Sequence, residues 1–478
     1  MASIVRQIGA NYVRRLLPDV APVGPAYRWL ATSLRSLIVD GRIPLGVRLP
    51  AERELARALG LSRTTTSAAY GLLRREGYLE SRRGAGSFTS FPSDPASAGL
   101  PWLGDADEHT IDLTIAAPAP LSESFLASAS AALEQLPRHL VGDGYRVLGL
   151  PELREAVAER YRRRGLETSA DEVMITSGAQ GAIALAAHVL VSPGTAVLVE
   201  SPTYPNAVDA FRAASARIVT VPVGDGWDAE LVDSSFRQTL PRVAYFTPDF
   251  HNPTGRLTLS DERAALVASA RRAETLILSD ESYLGLELAD GLPDIEPLAA
   301  HDPERVISFG GLSKSAWGGL RIGWLRAAPS LVQRLGAARP SLDIANPLLE
   351  QLVALQLLDH LDAILAERRQ RLRAQLDALT GALDEQLPDW SYVAPDGGLC
   401  LWVAIDRSST SLVAPAERAG VRIVPGPRFS VDGTLERFLR IPFVLPPATL
   451  REAVARLAEA AEDVPRLAEA GAEISYVV

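Results

Sequence analysis

The spacing of apolar residues changes character near residue 110. Before it the period is helical. From Ala26 to Val39 the apolar positions Leu30, Leu34, Leu37 and Ile38 recur at helix spacing. The run Asp40-Gly41-Arg42-Ile43-Pro44 then breaks the helix. A second, short helix fits Glu52 to Leu59, with Leu55 and Leu59 facing inward. Gly60 and Leu61 make a turn, and Ser62 is a good N-cap for a third helix through about Arg75. Tyr78-Leu79-Glu80 and Ser87-Phe88-Thr89 flank Arg82-Arg83-Gly84-Ala85-Gly86, which reads as a small hairpin. Helix, short turn, helix and hairpin together predict a winged helix-turn-helix, whose last helix can enter a DNA major groove.

Beyond Thr110 short β-rich runs alternate with helical stretches, which predicts an α/β body. Five runs end in polar clusters. Val173 to Thr176 leads into Ser177-Gly178-Ala179-Gln180, and Val197 to Val199 into Glu200-Ser201-Pro202-Thr203-Tyr204-Pro205. Val243 to Phe246 leads into His251-Asn252-Pro253-Thr254-Gly255, and Leu276 to Leu278 into Asp280-Glu281-Ser282-Tyr283. Val306 to Phe309 leads into Gly310-Gly311-Leu312-Ser313-Lys314. Mostly parallel sheets bind ligands beyond the carboxyl ends of their strands, so these five ends could converge on one site. Between head and body, Ser90 to His109 has no sustained period and several Pro, Ser and Gly residues, as a linker does. The expected organisation is an extension at 1–24, a head at 25–90, a linker at 91–109 and a body at 110–478.

Composition sharpens this division. A chain of 478 residues, 47% of them hydrophobic, exceeds a single ordinary domain. One cysteine, Cys400, cannot form an intramolecular disulfide, which fits a reducing compartment. No apolar run reaches membrane-spanning length, and the first 20 residues carry Arg6, Arg14 and Arg15 without a long apolar stretch. A soluble, cytoplasmic protein is expected. The net charge of −10 alone argues against a nucleic-acid partner, but its distribution reverses that. Residues 25–90 hold 11 Arg against 5 Asp and Glu, a net of +6; residues 1–24 hold +2, leaving −18 for the rest. A basic head on an acidic body suits double-stranded DNA, although solvated surface arginines would give the same count.

The third helix opens Ser62-Arg63-Thr64-Thr65-Thr66. An arginine there can reach guanine edges, and hydroxyls can bond phosphates or bases, although such a run is also ordinary capping chemistry. From Gly41 to Phe88 the sequence resembles the winged helix-turn-helix of GntR-type regulators. The resemblance implies DNA contacts from Arg53, Arg63, Thr64, Thr65 and the wing glycines Gly84 and Gly86. Two positions depart from the commoner pattern: Ala51 stands where Ser often caps the second helix, and Ser67 where a further arginine is often found.

In the body each motif alone has a plain structural reading. Gly178-Ala179 could be helix packing, Tyr204 a turn residue, Asp280 a strand-end cap and Asn252-Pro253-Thr254-Gly255 a stock turn. Together they supply what pyridoxal 5'-phosphate (PLP) requires. Backbone N–H groups at the helix start formed by Gly178, Ala179 and Gln180, with Arg321 and the Ser313 hydroxyl, suit a phosphate dianion. Asp280 suits a protonated pyridine nitrogen, Asn252 and Tyr283 the phenolic oxygen, and Tyr204 the ring face. Lys314 suits the Schiff base. It is the only lysine among 48 Lys and Arg, at a position where arginine, always protonated, could not form an imine.

From about Ile111 to Pro465 the body resembles fold-type I, class I/II aminotransferases, through Ile175 to Gln180, Ser201 to Pro205, His251 to Gly255, Ser279 to Tyr283 and Leu312 to Arg321. The resemblance implies a large, mixed and mostly parallel sheet domain (about 140–330) and a smaller α+β domain (about 331–465 plus the N-terminal part). It also implies that Arg440 receives a carboxylate, and that Tyr145 reaches the partner's phosphate in a two-fold homodimer. Gly311 departs from the pattern, standing where Ser or Thr often adds a phosphate contact. The fusion is similar to MocR-type transcriptional regulators. It implies a DNA-binding regulator whose body senses an amino acid, an amine or PLP. An aminotransferase with a secondary DNA-binding head, and a body kept only as a dimerisation scaffold, are the alternatives.

Overall fold

The computed structural model describes residues 8–17, 25–39, 43, 46–82, 86–90, 109–223 and 227–467. The expected wing glycine Gly84 and nearly all of the linker lie outside the described residues.

The head contains helices α1 (Ala10–Leu16), α2 (Ala26–Val39), α3 (Glu52–Leu59) and α4 (Arg63–Arg75), then a hairpin of β1 (Leu79–Arg82) and β2 (Gly86–Thr89). Leu30, Leu34, Leu37 and Ile38 of α2 are all buried, as the helical period requires. They share a core with Leu55, Ala69, Leu73 and Leu79. Val13 and Leu17 join the same core, so α1 is packed into the head. Arg48 bridges to Phe88, adding an edge contact to the hairpin. Arg74 ties α4 to the wing, donating to Ser81 and Ser87 hydroxyls at 3.3 Å each.

The body begins with β3 (Ile111–Asp112). The large sheet follows: β4 (Val173–Thr176), β5 (Ala196–Ser201), β6 (Arg217–Pro222), β7 (Val243–Phe246), β8 (Leu276–Asp280), β9 (Val306–Gly311) and β10 (Gly323–Arg326). Its spatial order is β4-β10-β9-β8-β7-β5-β6. Only β10 runs antiparallel, lying between β4 and β9. The central strands are covered on both faces, and this explains their largely apolar runs. Val197, Val199, Tyr245 and Phe309 face one core, while Leu198, Ala244, Phe246 and Ile277 face the other. Burying each Val, Leu, Ile or Phe among them contributes roughly 1.5–3 kcal/mol.

The smaller sheet holds β11 (Ser391–Tyr392), β12 (Cys400–Ala404), β14 (Val424–Pro425) and β15 (Phe438–Pro442), and β13 (Val421–Arg422) pairs in parallel with β3. That pairing returns the start of the body to the small sheet's side, and it brings Thr114 and Ala116 to the site described next. The 26-residue helix Leu361–Gln386 connects the two parts of the body.

Candidate functional site

Because β10 alone is reversed, the carboxyl ends of β4, β5, β7, β8 and β9 lie along one edge of the large sheet. The five polar clusters therefore share that edge. Lys314 sits on a turn after β9. Arg368 pins this turn by donating to the carbonyls of Ser315 (3.1 Å) and Ala316 (3.0 Å). The Lys314 amine donates to the Ala116 carbonyl at 2.6 Å and stands 5.9 Å from the centre of the Tyr283 ring. Burial lowers its pKa to about 8, with Arg440 and Arg321 adding to the effect and Asp280 opposing it. These mutual influences join Lys314, Asp280, Arg321 and Arg440 in one electrostatic environment.

Asp280 is the last residue of β8 and is 5% exposed. One carboxylate oxygen accepts the Tyr245 hydroxyl at 2.6 Å, and the other accepts the Ser282 N–H at 2.9 Å. The Asn252 loop is set by a buried neighbour, Glu200, which accepts from Trp227 Nε1 (2.9 Å) and Thr247 N–H (2.8 Å). His251 Nε2 lies 3.5 Å from Glu200. Burial pushes His251 down to about 3 and Glu200 up to about 8, so both are neutral near pH 7 and the contact is not an ion pair.

The helix Gly178–Leu190 starts directly beyond β4, with Gly178 at φ +75°. A Cβ there would lie 2.9 Å from Arg321 Nη2, so glycine serves both the left-handed backbone and the close approach. Arg321 donates to the Ser177 carbonyl at 2.7 Å, which holds its guanidinium against the helix start. Tyr204 is half-buried, and its hydroxyl accepts from Asn206 at 3.0 Å. Arg440, on β15, donates to the Thr114 carbonyl and lies 4.9 Å from the Phe429 ring centre. Tyr145 is 62% exposed.

Several buried polar atoms at this edge have no partner among the described residues: Gln180 Oε1, Asn252 Oδ1, Tyr283 Oη, Ser313 Oγ and Arg440 Nε. An orphaned buried polar group costs roughly 1–3 kcal/mol, so five of them together indicate groups arranged for a ligand. A glycine-lined helix start, an arginine beside it and an amine of lowered pKa are the donor set that PLP requires, and the residues fit the cofactor.

The sequence reading overlooked three contributors. Tyr245 was indistinguishable from core residues in an apolar strand. The Ala116 carbonyl carries no side-chain signal. Cys400, read only as a marker of redox compartment, is 3% exposed on β12, with its thiol raised by burial while Arg440 and Lys314 pull it down. Its nearness to Gly397-Gly398 was the one available hint.

In the head, Arg53 and Arg63 are exposed at the starts of α3 and α4. Ser62 caps α4 by accepting the Thr65 N–H at 3.0 Å, and its hydroxyl also lies 2.7 Å from those of Thr64 and Thr65. Gly86 has φ +107°, and a Cβ there would meet Arg48 Nε at 2.8 Å.

Residues 26–89 match the bacterial regulatory proteins of the gntR family, and residues 115–457 match aminotransferase class I and II. The transcriptional regulator TauR of Rhodobacter capsulatus is 30% identical, over 88% of this chain and 94% of its own. The probable rhizopine catabolism regulatory protein MocR of Rhizobium meliloti is 31% identical, over 64% of this chain and 66% of its own. Among solved structures, the α-aminoadipate aminotransferase LysN of Thermus thermophilus, complexed with N-(5'-phosphopyridoxyl)-L-leucine, superposes with a TM-score of 0.68 at 29% identity, covering 74% of this chain and 92% of its own. The chain belongs to the aminotransferase class I and II family and joins that fold to a gntR-family DNA-binding head, the architecture of a PLP-dependent, MocR-type transcriptional regulator. Among the described residues no helix is long and apolar enough to cross a membrane.

Proposed function

We propose that the body is a sensor for a small amine, and that its occupancy changes how a homodimer's two heads hold operator DNA in the cytoplasm. An α-amino acid is the favoured effector, with another amine, or PLP itself, as the alternatives. One observation supports this reading: Asn252, Tyr283, Ser313 and Arg440 each keep a buried polar atom without a partner, in the same set of strand ends and loops as the chain's only lysine.

PLP, when bound, supplies an aldehyde that condenses with amines and a ring that withdraws electrons. Lys314 offers the amine for its attachment. Gly178, Ala179 and Gln180, with Ser313 and Arg321, would hold the phosphate by backbone N–H groups and charge. Asp280, steadied by Tyr245, would keep a proton on the pyridine nitrogen. Asn252 and Tyr283 would bond the phenolic oxygen, and Tyr204 would cover a ring face. Arg440 would receive the effector's carboxylate; its anchor on the Thr114 carbonyl leaves Nε free for that bond. Tyr145 would serve the partner subunit's phosphate. In the head, Arg53, Arg63, Thr64, Thr65 and the wing glycines Gly84 and Gly86 would meet DNA.

The test is retention of DNA from upstream of the protein's own coding sequence, with and without candidate amines. Specific retention lost in Arg63→Ala supports the reading; upstream DNA held no better than random DNA by the wild type, or held equally by both proteins, overturns it. A second reading, an active aminotransferase, is favoured by the joint presence of Lys314, Asp280 and Arg440. Steady turnover of amino donors with keto acids would establish it.

A further inference from the structure

Helix α1 lies outside the part of the head that matches the gntR family, which begins at residue 26. It is nevertheless built into the same unit. Val13 and Leu17 are buried in the head core, and α1 lies against α3. Just ahead of α1, the Ile8 N–H donates to the Arg48 carbonyl at 3.2 Å. Arg48 stands shortly before α3 and bridges to Phe88 of the hairpin, so α1 starts in the corner between the wing and α3. In a helix-turn-helix the second helix enters the major groove and the first, here α3, crosses the phosphate backbone. A helix packed on α3 and anchored at the wing is held beside that backbone.

The outer face of α1 is polar and basic. Asn11, Tyr12, Arg14 and Arg15 are exposed, and the helix holds no acidic residue. Arg15 lies 5.9 Å from the centre of the Tyr12 ring, one turn back, and this packing keeps its guanidinium on the exposed face. Among the described residues neither Arg14 nor Arg15 makes an ion pair, and the same is true of Arg53, Arg57 and Arg63 on α3 and α4. Other arginines of the head are neutralised: Arg35 by Glu76, Arg74 by Glu52 and Arg82 by Glu80. An exposed arginine without a carboxylate keeps its whole charge for a phosphate.

We propose that α1 extends the DNA-binding surface of the head, with Arg14 and Arg15 on backbone phosphates of duplex DNA beside the stretch read by α4. Phosphates carry no sequence information, so this contact adds affinity for operator and random DNA alike. The proposal rests on the reading of the head as a DNA-binding unit and states how far that unit extends; it stands whether or not the Lys314 site is a sensor. The acidic body is the competing occupant, because it too would attract this face. The two occupants differ in sign of effect: charges spent on DNA strengthen DNA binding, whereas charges spent on the body would hold the head back from DNA.

The experiment is fluorescence anisotropy of the full-length, PLP-loaded protein on random-sequence duplex DNA across a salt series. The double variant Arg14→Ala, Arg15→Ala should bind about tenfold more weakly or worse at low salt, and its slope of log affinity against log salt should be shallower by between about 1 and 2. The double variant Arg14→Lys, Arg15→Lys keeps both charges and should keep the wild-type slope. Arg28→Ala removes an exposed arginine of α2 and should change the slope less than either α1 position does. An unchanged slope in the alanine variant would overturn the proposal, and so would an equal loss in the lysine variant or in Arg28→Ala. Tighter binding by the alanine variant would overturn it in favour of the acidic body. In each of these cases wild-type binding leaves the DNA-binding head standing, whereas a wild type that holds no DNA at low salt would overturn both.

Discussion

Lys314 is a nucleophile only when neutral, and the site lowers its pKa to about 8 by burial. Below that value the amine is protonated, and the reactive fraction falls about tenfold per pH unit. Uptake of PLP by the cofactor-free protein should therefore accelerate from pH 6 to 8 and level off above it, as followed by visible absorbance. A rate still rising tenfold per unit between pH 9 and 10 would show an ordinary lysine. Lys314→Ala should take up no colour at any pH. Tyr245→Phe removes the hydroxyl that steadies Asp280, a charge-assisted bond worth roughly 1.5–3 kcal/mol. PLP affinity should fall by one to two orders of magnitude, measured by equilibrium dialysis. The contrast between Asp280 and Tyr245 shows what a sequence can reveal. A carboxylate ending an apolar strand is conspicuous, whereas a tyrosine within one looks like core until its hydroxyl is seen to have a buried partner.

At the scale of elements, local signals were legible and long-range pairing was not. The boundaries of α2, α3 and α4 follow from the helical period, the αL Gly60 and the Ser62 cap, all written within a few residues of each helix end. The strand runs ending at Thr176 and Phe246 were legible for the same reason, whereas the run read from Leu276 to Leu278 extends as a strand to Asp280. The reversal of β10 between β4 and β9, and the pairing of β3 with β13, join segments far apart in the chain and leave no periodic trace. The reversal matters, because it leaves the other ends together on one edge. The helix start behind β4 is the most constrained of these elements. Gly178→Ala adds a methyl 2.9 Å from Arg321 at a left-handed backbone position, which costs about 1–2 kcal/mol for the conformation alone. The variant should fold with a lower melting temperature and bind PLP markedly less tightly. Unchanged cofactor affinity would remove this helix start from the phosphate site.

For the whole molecule, the basic head and acidic body divide the work, since only the head has the sign to hold a polyanion. Each phosphate contact contributes about −0.9 to the slope of log affinity against log salt. Arg53→Ala should weaken operator and random DNA alike and reduce that slope by about 1. Arg63→Ala should cost about 1–3 kcal/mol on operator while changing random DNA little. Fluorescence anisotropy across a salt series separates the two outcomes.

The central claim is that the Lys314 site controls the head. Its most direct test is DNase footprinting of upstream DNA, with and without a panel of amino acids, by the PLP-loaded wild type and by Lys314→Ala. The account predicts that at least one amino acid alters the wild-type footprint and leaves that of Lys314→Ala unchanged. The same response in both proteins, or no response to any amine in the wild type, would contradict it.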